Sequence, residues 1–415
     1  MQSSLKKWLQ FSLFNLGLVA LLGVTLRYKI AFSLPFIDQQ NLLHGHSHFA
    51  FSGWITQALM ALLTGYLSET TSKDYFPKYR WILYFNDITA YGMLISFPIQ
   101  GYGFISILFS TMSLVASYYF AILFWKDLNR IPVGSVSHSW FKLALLGNVI
   151  SSAGPFSLAY MMASHNMHQN WYLASIYFYL HFQYNVWFIF TCMGLLSYRL
   201  SAMGVSEDSL KKVFICFALT ALPAYFLSVL WWHIPVWLYI IVVLAAVCQL
   251  AGWVQLIRLV KKQSRLIRND IMLFSRVLFI FFGMALSIKL LLQTASVIPA
   301  ISKMAFGFRP IVIGYLHLIL LGIITIFILA YSFTFRQIRI NAGTKHGIIV
   351  FVTAIVFNEI LLMIQGVSDL LYTGVPGMQY WLFAAACMLL DGIGIMVHHQ
   401  LFSKDDCNHK MTGKL

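Results

Sequence analysis

Three histidines stand at matching places in what reads as one segment written three times. The first copy is His48-Phe49-Ala50-Phe51-Ser52-Gly53-Trp54-Ile55-Thr56, the second His181-Phe182-Gln183-Tyr184-Asn185-Val186-Trp187, and the third His317-Leu318-Ile319-Leu320-Leu321-Gly322-Ile323-Ile324-Thr325. The histidines are 133 and 136 residues apart. The first two copies share His-Phe-x-aromatic-x-x-Trp; the first and third share Gly five residues on and Thr eight on. A histidine within an apolar helix is costly in a bilayer and usually has a task, and imidazole is a common metal ligand. Three in register point to a shared centre. The competing reading for His181 and His317 is a satisfied polar contact between helices.

Two imidazoles facing across a bundle suit the axial positions of haem iron. Gly53 and Gly322 would let backbone approach a flat cofactor, and Phe49, Phe51, Trp54, Tyr184 and Trp187 would wall it. Arg309, about two turns before His317, is placed to pair with a propionate. In His44-Gly45-His46-Ser47-His48 the helical period puts His44 and His48 on one face and His46 on the opposite side, so one helix can serve two sites. For His44 and His46 a place at the water interface is an equal reading. His165, His168 and His233 read as interfacial, His398 and His399 as snorkelling at a helix end, and His138, His346 and His409 as surface residues.

The elements that must position these groups are set by composition. The 415 residues are 60% hydrophobic and 10% charged, against about 25% charged in soluble domains. Twelve apolar segments are long enough to cross a bilayer: 8–30, 45–68, 79–100, 102–125, 139–163, 170–198, 212–233, 235–257, 272–297, 309–335, 346–367 and 377–401. With the N-terminus inside, 23 of the 28 Lys and Arg fall on the inner side, and only Arg27, Lys29, Lys303 and Arg309 on the outer. The net charge of +15 therefore reads as topology rather than nucleic-acid binding. His48, His181 and His317 fall on spans 2, 6 and 10. The expected architecture is all-α: one integral membrane domain over 1–415, of three pseudo-symmetric groups of four helices (about 1–130, 131–270 and 271–415). The start of the chain is read as the first helix and not a cleaved leader. The five cysteines form no Cys-x-x-Cys pair, which argues against a disulfide framework or a zinc site.

With histidines on spans 2, 6 and 10 of twelve, the chain resembles subunit I of the haem-copper oxidase superfamily, which includes bacterial nitric oxide reductases. The resemblance covers the whole chain in topology and short segments in sequence. It implies that His48 and His317 hold a b-type haem and that His181 matches a copper or non-haem-iron ligand. It also implies one or two haems in all, O2 or NO as the small diatomic partner, and an electron donor of cytochrome c or quinol type. Departures stand beside it: span 7 offers only His233, span 10 has Tyr315 where the family has a second histidine, and Asn185 replaces the span-6 tyrosine. Tyrosinate ligates ferric haem elsewhere, so Tyr315 is a candidate ligand. A second resemblance is to NnrS-type membrane proteins of nitric oxide response, on the His-x-His near the start of a span and the Gly-containing apolar stretch after it. It implies a haem or copper protein without turnover.

Asp87, Lys289, Glu359 and Asp391 lie within spans. They read equally as proton supply or ion coupling and as neutral polar contacts. A secondary transporter is thus a third reading, although transporter repeats usually come in pairs with broken helices. The expected location is the bacterial inner membrane, with both termini cytoplasmic.

Overall fold

Every element of the computed structural model is helical, as near-continuous apolar sequence in lipid requires: with no water available, the backbone must satisfy its own hydrogen bonds. The structure describes residues 2–132, 135–335 and 337–402. Arg336, Lys404, Cys407, His409, Lys410 and Lys414, and the side chain of Lys303, lie outside the described residues.

The chain opens with α1 (Gln2–Phe32) and then a continuous rod: α2 (Gln39–Phe49), the π-helical segment Ala50–Thr56, and α3 (Gln57–Thr71). Next come α4 (Phe76–Gln100) and α5 (Phe104–Leu128). The broken pair α6 (Val136–Ser151) and α7 (Ala153–Ala163) precedes a second rod: α8 (Gln169–Leu180), the π-helical segment His181–Phe188, and α9 (Ile189–Ala202). α10 (Glu207–Thr220) is followed by the 3-10 helix Pro223–Val229, then α11 (Val236–Lys262), α12 (Ser264–Asp270), α13 (Leu273–Ala295) and α14 (Pro299–Gly307). The third rod is α15 (Arg309–His317), the π-helical segment Leu318–Thr325, and α16 (Ile326–Thr334); α17 (Ala342–Leu370) and α18 (Met378–Leu401) follow. α18 packs on α17 and also on α1, so the end of the chain meets its beginning.

Among the described residues nine helices are long and apolar enough to cross a membrane, or ten if α10 and the 3-10 helix form one span. These two are bent by 48°. Past the bend the Tyr225 N–H donates three residues back, to the Leu222 carbonyl at 3.1 Å, and not to Ala221, so the carbonyl of Ala221 is left for another donor. The expected spans 45–68 and 170–198 lie in the first two rods, which are not among the nine. Ser52, Thr56 and Gln57 in one, and Gln183 and Asn185 in the other, dilute their apolar character; all but Asn185 are buried.

Each rod contains one π-helical segment, and each segment falls at a repeated histidine: two residues after His48, at His181 itself, and directly after His317. Such widened turns are rare and are frequently found at functional sites. The Thr325 hydroxyl donates back five residues to the Leu320 carbonyl at 2.8 Å, as the wider ladder allows. Neighbouring helices supply further donors to the first segment. Asn15 Nδ2 reaches the Gly53 carbonyl at 2.7 Å, and Asn86 Nδ2 the Ser52 carbonyl at 3.1 Å. Asn148 stands 133 residues after Asn15, the offset between the first two histidines, and its Oδ1 accepts from Gln183 Nε2 of the second rod at 3.0 Å.

The rods are tied to one another at two levels. Trp54 Nε1, in the first π segment, donates to Thr325 Oγ1 of the third at 3.0 Å, and Trp187 Nε1, in the second, donates to Thr56 Oγ1 of the first at 3.4 Å. The tryptophans sit six residues after their histidines and the threonines eight. At the equivalent positions of the remaining interface stand Ile323 and Ile189, both buried. Donor and acceptor are missing together. Beyond this layer, Arg199 of α9 grips Glu69 of α3 with both Nη atoms at 2.6 Å and donates from Nε to Tyr331 Oη of α16 at 3.0 Å. One guanidinium thus joins all three rods.

Candidate functional site: two histidine clusters and a cavity

The face rule for residues 44–48 becomes geometry once α4 packs on α2. His48 lies flat on Phe97, with ring centroids 4.4 Å apart and planes 9° apart, and the His44 ring meets Tyr102 edge-on at 4.7 Å. His48 Nε2 is 3.5 Å from Tyr102 Oη, beyond a good hydrogen bond. Tyr102 sits in the turn after α4, and burial pushes its hydroxyl pKa above the ordinary value, which keeps the proton on it.

His46 points the other way, toward α1. Its Nδ1–H donates to the Val19 carbonyl at 3.1 Å. That bond fixes the tautomer and leaves Nε2 bare, the arrangement by which ligating histidines are usually oriented. Gly23, one turn along α1, keeps the space beside the ring open: a Cβ there would stand 3.6 Å from His46 Cε1. His317 ends α15, on the third rod. Its Nδ1 is buried without a partner, and no hydrogen bond to its ring is found among the described residues. A buried polar atom without a partner is an exception that asks for a reason. Arg27 and Arg309 line one cavity of about 560 Å³, with Gln39 and Asp369 on its wall. The structure therefore places Arg27 and Arg309 on one cavity and brings His44, His48 and Tyr102 together; no hydrogen bond or ring contact joins His317 to His46 among the described residues. No contact joins His48 to His317 among the described residues.

His181 is differently placed. Its Nε2–H donates to the Ala221 carbonyl left by the break before Pro223, at 2.8 Å, and its Nδ1 accepts from Asn185 Nδ2 at 3.1 Å. Both ring nitrogens are in use, so metal binding would require one of these bonds to be given up. His181 lines a cavity of about 480 Å³ between the second and third rods, with Asn185, Tyr315 and Glu359. Asn185 Oδ1 is buried there without a partner, and no hydrogen bond to the Tyr315 hydroxyl is found among the described residues. Ile288 and Leu292 of α13 and Ile360 and Met363 of α17 line the cavity while remaining exposed on the bundle's flank, so its mouth faces the lipid side. Lys289 is 3% exposed and donates to Gln293 Oε1 at 2.5 Å; Gln293 in turn donates to Gln249 Oε1 at 2.8 Å.

Several expectations are corrected. Four of the five aromatic residues read as cofactor walls pack between helices: Trp54 and Trp187 are spent on the threonines, Phe49 meets Tyr91 edge-on, and Phe51 packs on Phe188, while Tyr184 lines the cavity with His181. The space above Gly53 is filled by the Phe49 ring, 2.6 Å from where a Cβ would be, and Gly322 faces Ala285 of α13. At both glycines the neighbouring space is taken by protein side chains. His138 is 7% exposed, not a surface residue, and meets Tyr66 edge-on. Asp391 is exposed on α18. Among the described residues no three His, Cys, Asp or Glu side chains converge as a protein-only metal site requires. The residues that sequence reasoning passed over are Val19, whose carbonyl leaves no trace in side-chain chemistry, and Arg199, which read as one more inner cation.

No protein-family model matches the chain, and no curated protein is significantly similar to it.

Proposed function

We propose that the chain is a twelve-span membrane protein in three groups of four helices that binds a b-type haem. The spans divide as α1 to α5, α6 to α11 and α13 to α18, with one π-containing rod in each. The observations that support the reading are three: His46 is fixed through Nδ1 with Nε2 bare, His317 Nδ1 is buried without a partner, and a cavity bears Arg27 and Arg309; we pair the two histidines on that basis. A porphyrin iron needs one or two axial imidazoles, and its propionates need cations. His46 and His317 fit the first need, Arg27 and Arg309 the second. This moves the proposed span-2 ligand from His48 to His46. The haem would supply one-electron transfer or the binding of O2 or NO. The protein would hold the rings, compensate the carboxylates and exclude water.

The cavity at Tyr315, His181 and Glu359 is proposed as the place of a diatomic ligand, reached from the bilayer between α13 and α17; an apolar mouth suits an uncharged gas. Tyr315 and His181 remain the groups to test for a second haem or for copper or non-haem iron. Both termini are proposed to be cytoplasmic and the membrane to be the bacterial inner membrane, on the 23-to-4 division of cations. The electron donor would be a cytochrome c or a quinol. A binding protein of NnrS type without turnover shares the same His46–His317 pair.

The test is a reduced-minus-oxidised spectrum of the purified protein. A b-type spectrum is expected, lost in His46→Ala and in His317→Ala and kept in His48→Ala. Loss in His48→Ala with retention in His46→Ala would return ligation to the Phe97 face. A colourless protein from haem-replete cells would remove the proposal and favour a carrier. Consumption of O2 or NO by the coloured protein would separate turnover from binding.

A further inference from the structure

At the end of the bundle where the chain begins, a groove of about 750 Å³ runs between α1 and α4. Its α1 wall is Ser4, Lys7, Trp8 and Phe11, one helical stripe, and its α4 wall runs from Pro77 and Arg80 through Tyr84 to Ile88 and Tyr91, another. Trp8 on Tyr84, with ring centroids 4.9 Å apart, is a point where the two walls touch. The contents are sorted by depth. Lys7 and Arg80 stand at the mouth, both exposed, and among the described residues neither pairs with a carboxylate. The Arg80 guanidinium lies over the Trp81 ring, 5.2 Å from its centre. Deeper in, Phe11, Tyr84 and Ile88 are 38%, 48% and 60% exposed, an open apolar slot along the lipid-facing flank. Asp87 lies about 10 Å below Arg80 at the helical rise. Its Oδ2 accepts from Gln57 at 2.9 Å and its Oδ1 more weakly from Asn15 at 3.4 Å. Both oxygens are engaged from within the bundle.

We infer that this groove is a binding site for an anionic phospholipid, with the phosphate held by Lys7, Arg80 and the Ser4 hydroxyl and an acyl chain laid along Trp8, Phe11, Tyr84 and Ile88. Two unpaired cations over an apolar slot match a phosphate above a hydrocarbon chain, and basic pockets between membrane helices bind such headgroups. The chain would also close the flank of the Asp87–Gln57–Asn15 network. That network serves the first π segment through Asn15 and the Gly53 carbonyl. The inference is independent of the haem proposal.

The full-length protein in neutral detergent is titrated with phosphatidylglycerol or phosphatidylcholine carrying the same brominated acyl chains. The signal is the tryptophan quenching lost in Trp8→Phe. Phosphatidylglycerol is expected to bind more tightly than phosphatidylcholine. Lys7→Gln with Arg80→Gln should raise its half-saturation roughly thirtyfold, from the usual contribution of two basic residues near an anionic headgroup. The double variant Lys261→Gln with Lys262→Gln, at the end of α11 and outside the groove, should bind as the unaltered protein does. Equal binding of the two lipids, equal weakening in the Lys261/Lys262 variant, or displacement by millimolar inorganic phosphate would each overturn the proposal; the last would make the ligand a free anion.

Discussion

If the three rods meet as described, the two tryptophan–threonine bonds should be measurable and unequal. Trp54 and Thr325 are 3% and 0% exposed, and their 3.0 Å separation lies within the ordinary N–H···O range. Trp187 and Thr56 are as deeply placed, but at 3.4 Å the bond is long. Hydrogen bonds between membrane helices average about 0.6 kcal/mol in double-mutant cycles and reach about 1.7. The first pair should therefore couple by about 1 kcal/mol and the second by less than about 0.5 kcal/mol. The cycle for the first is Trp54→Phe, Thr325→Val and the pair together; for the second it is Trp187→Phe, Thr56→Val and the pair. Each single change also removes packing, and Thr325→Val removes the bond to the Leu320 carbonyl, but these costs cancel in the coupling term. The assay is reversible unfolding of the purified protein in mixed micelles, followed by tryptophan-independent far-UV circular dichroism. A Thr325→Ser variant keeps the acceptor and should retain most of the coupling. Zero coupling at Trp54–Thr325, or a larger value at Trp187–Thr56, would refute the convergence of the first and third rods on which the histidine pairing depends.

Glu69→Gln should destabilise the bundle by about 2–4 kcal/mol in the same unfolding assay, because a guanidinium only 15% exposed loses its two-pronged carboxylate partner. Lys78→Met should cost about 2 kcal/mol, since Asp127 is fully buried and keeps only Tyr79 and a long contact to Arg130; adding Asp127→Asn should restore most of the loss. His181→Ala should cost about 1–3 kcal/mol through the Ala221 carbonyl it leaves bare, while the haem spectrum, if present, stays unchanged; loss of the spectrum would make His181 a ligand.

The rods were legible because a costly residue recurring at fixed spacing is visible without any structure. The tryptophans and threonines that tie them were in the repeated segments too, but which tryptophan meets which threonine was not legible there. Helical period reports which residues share a face, and says nothing of which neighbour that face meets. So the split of His44 and His48 from His46 could be read from the chain, whereas the choice of His46 as the one turned toward α1 waited on the packing of α1 and α4. The π turns escaped for a related reason. A widened turn shifts later side chains around the axis without changing their order, and no residue type demands it. Span 7 misled differently: Pro223 was noticed as an interruption, but only the tightened turn after the 48° bend shows the Ala221 carbonyl left for His181.

The symmetry of the three segments and its failure carry different parts of the molecule. Two of the three rod interfaces bear a tryptophan–threonine bond, and the third bears two isoleucines. The interface without the bond, between the second and third rods, is the one that holds the cavity with Tyr315, Asn185 and Glu359. Indole-to-hydroxyl bonds fix the distance between two helices; an isoleucine pair, with no directional bond, leaves that distance to packing. A bundle that had all three bonds would draw its rods together evenly. With one released, the second and third rods can part at the cavity, where His181 bonds the Ala221 carbonyl and Asn185 keeps an acceptor unused. The histidine pair proposed here would, in contrast, join the first rod to the third, across a bonded interface. A rigid seam suits a group that must be gripped from both sides, and a loosened seam suits one that must enter and leave.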